Sequence, residues 1–115
     1  MRRIALAVLA TLFVSPLAAL PAKAGQCYEV IGCMSTQYFS KSALFTLGCQ
    51  SLWEVRNRAY KDRGYCFKTA TGISQMGNAG CHINNQAAVP LNVYERANVA
   101  KIRGVEKAKG CNYGG

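Results

Sequence analysis

The sequence predicts a small, mainly α-helical, disulfide-stabilised domain. Its two main helices, at about 51–63 and 93–108, are expected to pack antiparallel across a turn-rich connection. Three observations lead there. Six cysteines lie in a chain of 115 residues that opens on an export-type leader. Two helix-start signals are each followed by apolar residues at 3–4 residue spacing. The stretch between them is punctuated by Gly and Asn, the residues of turns. Half of the residues are apolar, which argues against disorder, and the length allows one small domain.

Met1-Arg2-Arg3 gives a positive start, and Ile4 to Val14 is an apolar run broken only by Thr11. Ser15-Pro16 interrupts it, and Ala22-Lys23-Ala24 supplies the small-x-small pattern of a cleavage site. Residues 1–24 therefore read as a secretory signal peptide, cut after about Ala24. The run is too short to cross a bilayer, which takes about 20 residues. Gln26 stands before Cys27 where a lipid-attachment motif needs a small residue. Cleavage leaves residues 25–115 as a single domain; with Arg2, Arg3 and Lys23 gone, the formal charge falls from +9 to +6. No second apolar run of spanning length follows, so no transmembrane segment is expected.

All six cysteines stay in the exported part, and an even count in a small exported chain reads as three disulfides. Zinc is the weaker reading, because no C-x-x-C occurs and His82 is the single histidine. No metal or other cofactor is expected. Each bridge adds roughly 2–4 kcal/mol, which matters in a domain whose core is small.

The elements follow in order. Cys27-Tyr-Glu-Val-Ile-Gly-Cys33 is either a short extended stretch or a local disulfide loop. Ser51-Leu-Trp-Glu54 fits a capping box, with Leu52, Val55, Arg56 and Ala59 behind it on one face. Gly64 suits the left-handed stop position, and Tyr65 can fold back on Tyr60. From Cys66 to Val89 turns dominate, with room for one helical turn near Ile73–Met76. Asn92 then caps a second helix with Glu95 three residues on, and Val93, Ala97, Ala100, Ile102 and Val105 mark its apolar side. Gly104 weakens this helix without breaking it. Gly110-Cys111 closes it, and Asn112–Gly115 reads as a loose tail.

A helix over 51–63 is about 20 Å long, whereas bonded cysteines need Cα atoms within about 7 Å. Cys49 and Cys66 flank that helix, so a bridge between them is disfavoured. Among the remaining pairings Cys27–Cys33, Cys66–Cys81 and Cys49–Cys111 are favoured. The last would tie the start of one helix to the end of the other, as an antiparallel pair requires.

The stretch Leu52-Trp-Glu-Val-Arg-Asn-Arg-Ala-Tyr-Lys-Asp-Arg-Gly-Tyr-Cys-Phe67 resembles the YARHG domain, a small extracytoplasmic module of bacterial proteins named after a five-residue motif. An Arg-Asn pair stands three and four residues ahead of that motif, as Arg56-Asn57 stand ahead of Tyr60. The motif falls on Tyr60-Lys61-Asp62-Arg63-Gly64, where Tyr60 and Gly64 match and the central Ala-Arg-His is replaced. Tyr65-Cys-Phe67, Gly77-Asn-Ala-Gly-Cys81, Val89-Pro-Leu91 and Cys111 look like the cysteine-bearing members, so the resemblance covers about 49–111 and extends back toward Tyr38-Phe39. It implies a compact helical extracytoplasmic module and carries over no molecular activity. On physical grounds Arg56, on the inner side of its helix, needs a carboxylate or carbonyl partner. Asn57 is expected to pin a neighbouring loop through its amide.

An enzyme is not expected. A Cys81–His82 nucleophile pair would need a free thiolate facing the imidazole, and adjacent residues rarely face one another. Acids are few, and Glu54 and Glu95 are accounted for at helix starts. The remaining functional signal is charge. Arg58, Lys61, Arg63 and Lys68 crowd one helix and its exit, and Arg96, Lys101, Arg103 and Lys107 the other. Such a surface attracts an anionic envelope polymer or anionic lipid, with a protein partner as a further possibility; export makes nucleic acid a poor physiological target. The bland reading is a solvated surface that keeps a small protein soluble. The expected function is thus that of a periplasmic or secreted binding module. Its alternative is a cationic effector whose second helix lies on anionic membranes.

Overall fold

A computed structural model describes residues 26–114 of the chain; the expected signal segment lies outside the described residues. A two-stranded antiparallel hairpin opens it, β1 (Cys27–Tyr28) pairing with β2 (Gly32–Cys33). Helices α1 (Lys41–Phe45), α2 (Cys49–Asp62), α3 (Ala70–Met76) and α4 (Val93–Ala108) follow, with a 3-10 turn at Gln86–Ala88 ahead of the last. Both readings of the Cys27–Cys33 stretch hold at once: it is extended, and a disulfide closes it.

Helix α2 begins at Cys49, two residues before the expected start, with Gly48 as its N-cap and no side-chain cap bond. Ser51 therefore lies inside the first turn, and Glu54 accepts from Gln50 Nε2 at 3.1 Å instead of closing a capping box. The reason is tertiary. A cap is worth about 1 kcal/mol. The Cys49–Cys111 disulfide at the first helical residue, and full burial of Leu52, together outweigh it.

The exit of α2 is as the sequence indicates. Tyr65 N–H reaches Tyr60 C=O and Gly64 N–H reaches Lys61 C=O, the paired bonds of a Schellman stop, with Gly64 at φ +93°. Tyr60 and Tyr65 rings lie 5.9 Å apart. Gly64 also leaves room that no side chain could use, since a Cβ there would come within 2.2 Å of His82 Cε1. Helix α3 is longer than the single turn expected, because Thr69 caps it by accepting from Gly72 N–H.

Helix α4 opens on a complete capping box between Asn92 and Glu95. It ends on a second Schellman stop, Cys111 N–H bonding Glu106 C=O and Gly110 N–H bonding Lys107 C=O. Its buried face differs from the expected one. Glu95, Asn98, Val99, Ile102 and Val105 turn inward, whereas Val93 and Ala100 are exposed. Asn98 is tolerated in the core because its amide is saturated: Oδ1 accepts from Phe39 N–H, and Nδ2 donates to Met34 and Gln37 carbonyls.

Helices α2 and α4 run antiparallel against one another. Cys49–Cys111 ties one end, Arg56–Glu106 bridges between, and Arg63–Glu95 closes the other end. Leu44, Leu52, Ile102 and Val105 pack fully buried around this pair, with Phe39 and Met34 closing the core from the N-terminal side. Cys66–Cys81 fastens the turn-rich segment below α2, so all three bridges are the favoured pairs. The expected loose tail is instead docked. Tyr113 stands edge-on to Trp53 at 5.4 Å, because Cys111 is bonded to the start of α2 and delivers the tail to that helix. Among the described residues, no helix is long and apolar enough to cross a membrane.

Candidate functional site

The residues that carry the five-residue motif build the fold. Tyr60 is buried and Gly64 makes the helix stop. Arg63, the residue just before that glycine, donates from Nε and Nη2 to Glu95 Oε1 at 3.2 and 2.9 Å. Glu95 is fully buried and also accepts from Asn92 N–H at 2.7 Å and Ser35 Oγ at 2.7 Å. One carboxylate thereby joins the end of α2, the start of α4 and the loop after β2.

Arg56 makes a two-pronged pair with Glu106, Nε to Oε1 at 2.6 Å and Nη2 to Oε2 at 3.1 Å. It has found the carboxylate that its inward position demands. Asn57 departs from expectation: its Nδ2 donates to Trp53 C=O at 2.9 Å, within its own helix, and not to a neighbouring loop. The segment after α2 is fixed by Asn78, whose side chain bonds both N–H and C=O of Phe67.

The remaining cations differ in what holds them. Several hold backbone carbonyls: Lys61 at Gly77, Lys101 at Phe39, and Lys109 at Phe45 and Leu47. Lys68 donates to Asn84 Oδ1. Others face water on α4. Arg96, Ala100, Arg103 and Lys107 are all exposed and follow at spacings of four, three and four, which is one face of a helix. Arg96 Nη1 also bonds Leu91 C=O, whereas Arg103 and Lys107 have no ion pair or hydrogen bond among the described residues. The acids of α4, Glu95 and Glu106, are turned inward by their arginine partners. What remains outside is a ridge of positive charge about 16 Å long, from the rise of about 1.5 Å per residue.

Two clefts flank α2. One, of about 280 Å³, lies between the N-terminal hairpin and α2, with Val30, Ile31, Leu47 and Val55 below and Glu54 and Arg58 beside them. Burial at its edge pushes the Tyr28 phenol above the ordinary 10.0, with Arg58 opposing and Asp62 and Glu54 adding to the rise. The second, of about 220 Å³, lies where Arg56 and Asn57 meet Tyr65, Lys68, Gln86 and Tyr113. Its lining comes from α2, the segment after it, the 3-10 turn and the tail. The sequence does not reveal it, since its residues come together only in the fold.

His82 is exposed and stands against Gly64, while Cys81 is bonded to Cys66 and offers no thiolate. The model of the YARHG domain family matches residues 23–107. The match takes in the hairpin and α1 as well as the stretch from 49 onward that carries the sequence resemblance. No curated protein and no solved structure matches the chain.

Proposed function

The chain belongs to the YARHG domain family, and we propose that it is an exported, non-enzymatic module that binds an anionic polymer of the cell envelope. The observation that supports this is the ridge of Arg96, Arg103 and Lys107 on the solvent face of α4, which no acid interrupts. Three cations on one rigid helix face present a line of charge, and a polyanion meets it by releasing counterions. The three disulfides and family membership are consistent with an extracytoplasmic location. Residues 1–24 act in this reading as the export signal, giving a periplasmic or secreted product. Cosedimentation of residues 25–115 with insoluble peptidoglycan and with lipopolysaccharide tests it. Binding that weakens steeply with added salt is expected; absence of binding to both at low salt contradicts it.

The alternative, a cationic effector whose α4 lies on anionic membranes as a surface amphipath, meets an obstacle in the fold. Val99, Ile102 and Val105 are in the core, and the end of α4 is bonded through Cys111 to α2. The apolar face reaches a bilayer only after the domain opens. Vesicles of anionic lipid should therefore remain sealed in the presence of the oxidised protein, and leakage at micromolar protein would favour the effector instead.

A further inference from the structure

The cleft beneath the C-terminal tail is separate from the ridge and has a chemistry of its own. Two cations, Arg56 and Lys68, line it, and no acidic residue does among the described residues. Glu106 already takes Nε and Nη2 of Arg56, so Lys68 is the uncompensated charge. Among the described residues its ammonium bonds Asn84 Oδ1 alone, and an ammonium carries two further N–H donors for an anion. The other polar side chains of the lining are neutral, among them the Asn57 and Gln86 amides and the Tyr65, Thr69 and Tyr113 hydroxyls. Such groups suit hydroxyls better than a second charge.

Aromatic rings stand among the lining residues and hold one another in place. Tyr65 stands edge-on to Phe67 at 5.0 Å, and Tyr113 edge-on to Trp53 at 5.4 Å. At about 220 Å³ the cleft is smaller than the roughly 300 Å³ or more of sites for drug-sized ligands, which limits it to one ring.

We propose that this cleft binds a single sugar ring bearing one carboxylate, as found in anionic envelope glycans, with Lys68 taking the carboxylate and the amides and tyrosines taking the hydroxyls. This rests on the envelope-binding reading, but on residues that the ridge does not use. Two sources share that chemistry, uronic acids and the lactyl-ether sugar of peptidoglycan, so free glucuronate and muramic acid are the two probes.

The test is titration of isotope-labelled residues 25–115 with each probe, with glucose and inorganic phosphate as comparisons, followed at the Trp53 indole and Gln86 amide N–H signals. At least one carboxylated ring should shift both signals, binding about tenfold or more tightly than glucose. Lys68→Met should remove that preference while the rest of the spectrum is unchanged. Equal response to glucose and the acids, response to phosphate alone, or a Lys68→Met variant that binds as before would each overturn the proposal. The Arg103→Gln/Lys107→Gln variant separates the two claims. It should lower polymer binding and leave ring binding intact; polymer binding without any ring binding sinks the cleft proposal and leaves the ridge reading standing.

Discussion

Replacing Glu95 with alanine should nearly dismantle the domain, and the structure sets the size of the effect. The carboxylate is fully buried and accepts from Arg63 twice, from Ser35 and from the backbone of Asn92. Breaking a buried ion pair from one side costs about 3–5 kcal/mol, because the other charge is left without compensation. The Arg63 side chain is 30% exposed, so water relieves part of that and the low end applies. Loss of half the capping box adds about 1 kcal/mol, though through some of the same bonds. The expected total for Glu95→Ala is therefore about 3–4 kcal/mol. That corresponds to a fall in Tm of at least about 12 °C for a domain of this size. Glu95→Gln keeps the acceptor oxygen and should lose only about 1–2 kcal/mol. Urea unfolding followed by Trp53 fluorescence measures all of these. A cycle with Arg63→Ala should give a coupling of about 1–3 kcal/mol. A Glu95→Ala variant within 1 kcal/mol of the parent, together with zero coupling to Arg63, would refute the claim that this carboxylate joins the two helices.

Three more expectations follow from the same geometry. Removing disulfides by paired Cys→Ser substitution should destabilise in order of loop length: about 4 kcal/mol for Cys49–Cys111, separation 62, about 3 for Cys66–Cys81, separation 15, and about 2 for Cys27–Cys33, separation 6. A thermal series in which Cys27–Cys33 matters most would contradict this. Gly64→Ala should cost about 1–2 kcal/mol from its backbone conformation alone, plus the contact with His82. Adding His82→Ala should return only the contact part, and full recovery would show that φ was not the constraint. Tyr28 is held above the ordinary phenol value in the fold, so its contribution is complete below pH 10.0 and is lost as pH rises through the folded-state value. The parent should then lose stability faster than Tyr28→Phe above that pH; parallel curves would rule out a buried phenol.

Local signals in the sequence were legible because they act locally. The Asn92–Glu95 box and the Gly64 and Gly110 stops involve residues no more than five apart, and the structure has them where cap chemistry puts them. Helix length excluded one disulfide, Cys49–Cys66, because a rigid helix keeps its two ends apart; the choice among the remaining pairings was not fixed by it. What was hidden depends on distant partners. Asn98 is a core residue only because Phe39 and Met34 come to it from about sixty residues away. The early start of α2 and the docked tail both follow from Cys49–Cys111, which no single segment encodes. Likewise the cationic candidates could be counted but not sorted. Only the fold shows that Lys61, Arg63 and Lys101 are held by carbonyls or a carboxylate while Arg103 and Lys107 face water. The second cleft draws on four segments, so spacing along any one of them gave no outline of it.

The most direct test of the ridge compares two charge-matched variants in polymer binding across a salt series. Arg103→Gln/Lys107→Gln removes two charges from the solvent face of α4, and Lys41→Gln/Arg58→Gln removes two from elsewhere on the surface. Affinity for the envelope polymer should fall, and its salt dependence flatten, in the first variant, while the second binds almost as the parent does. Equal losses in both would mean that net charge alone is read, and that α4 presents no site.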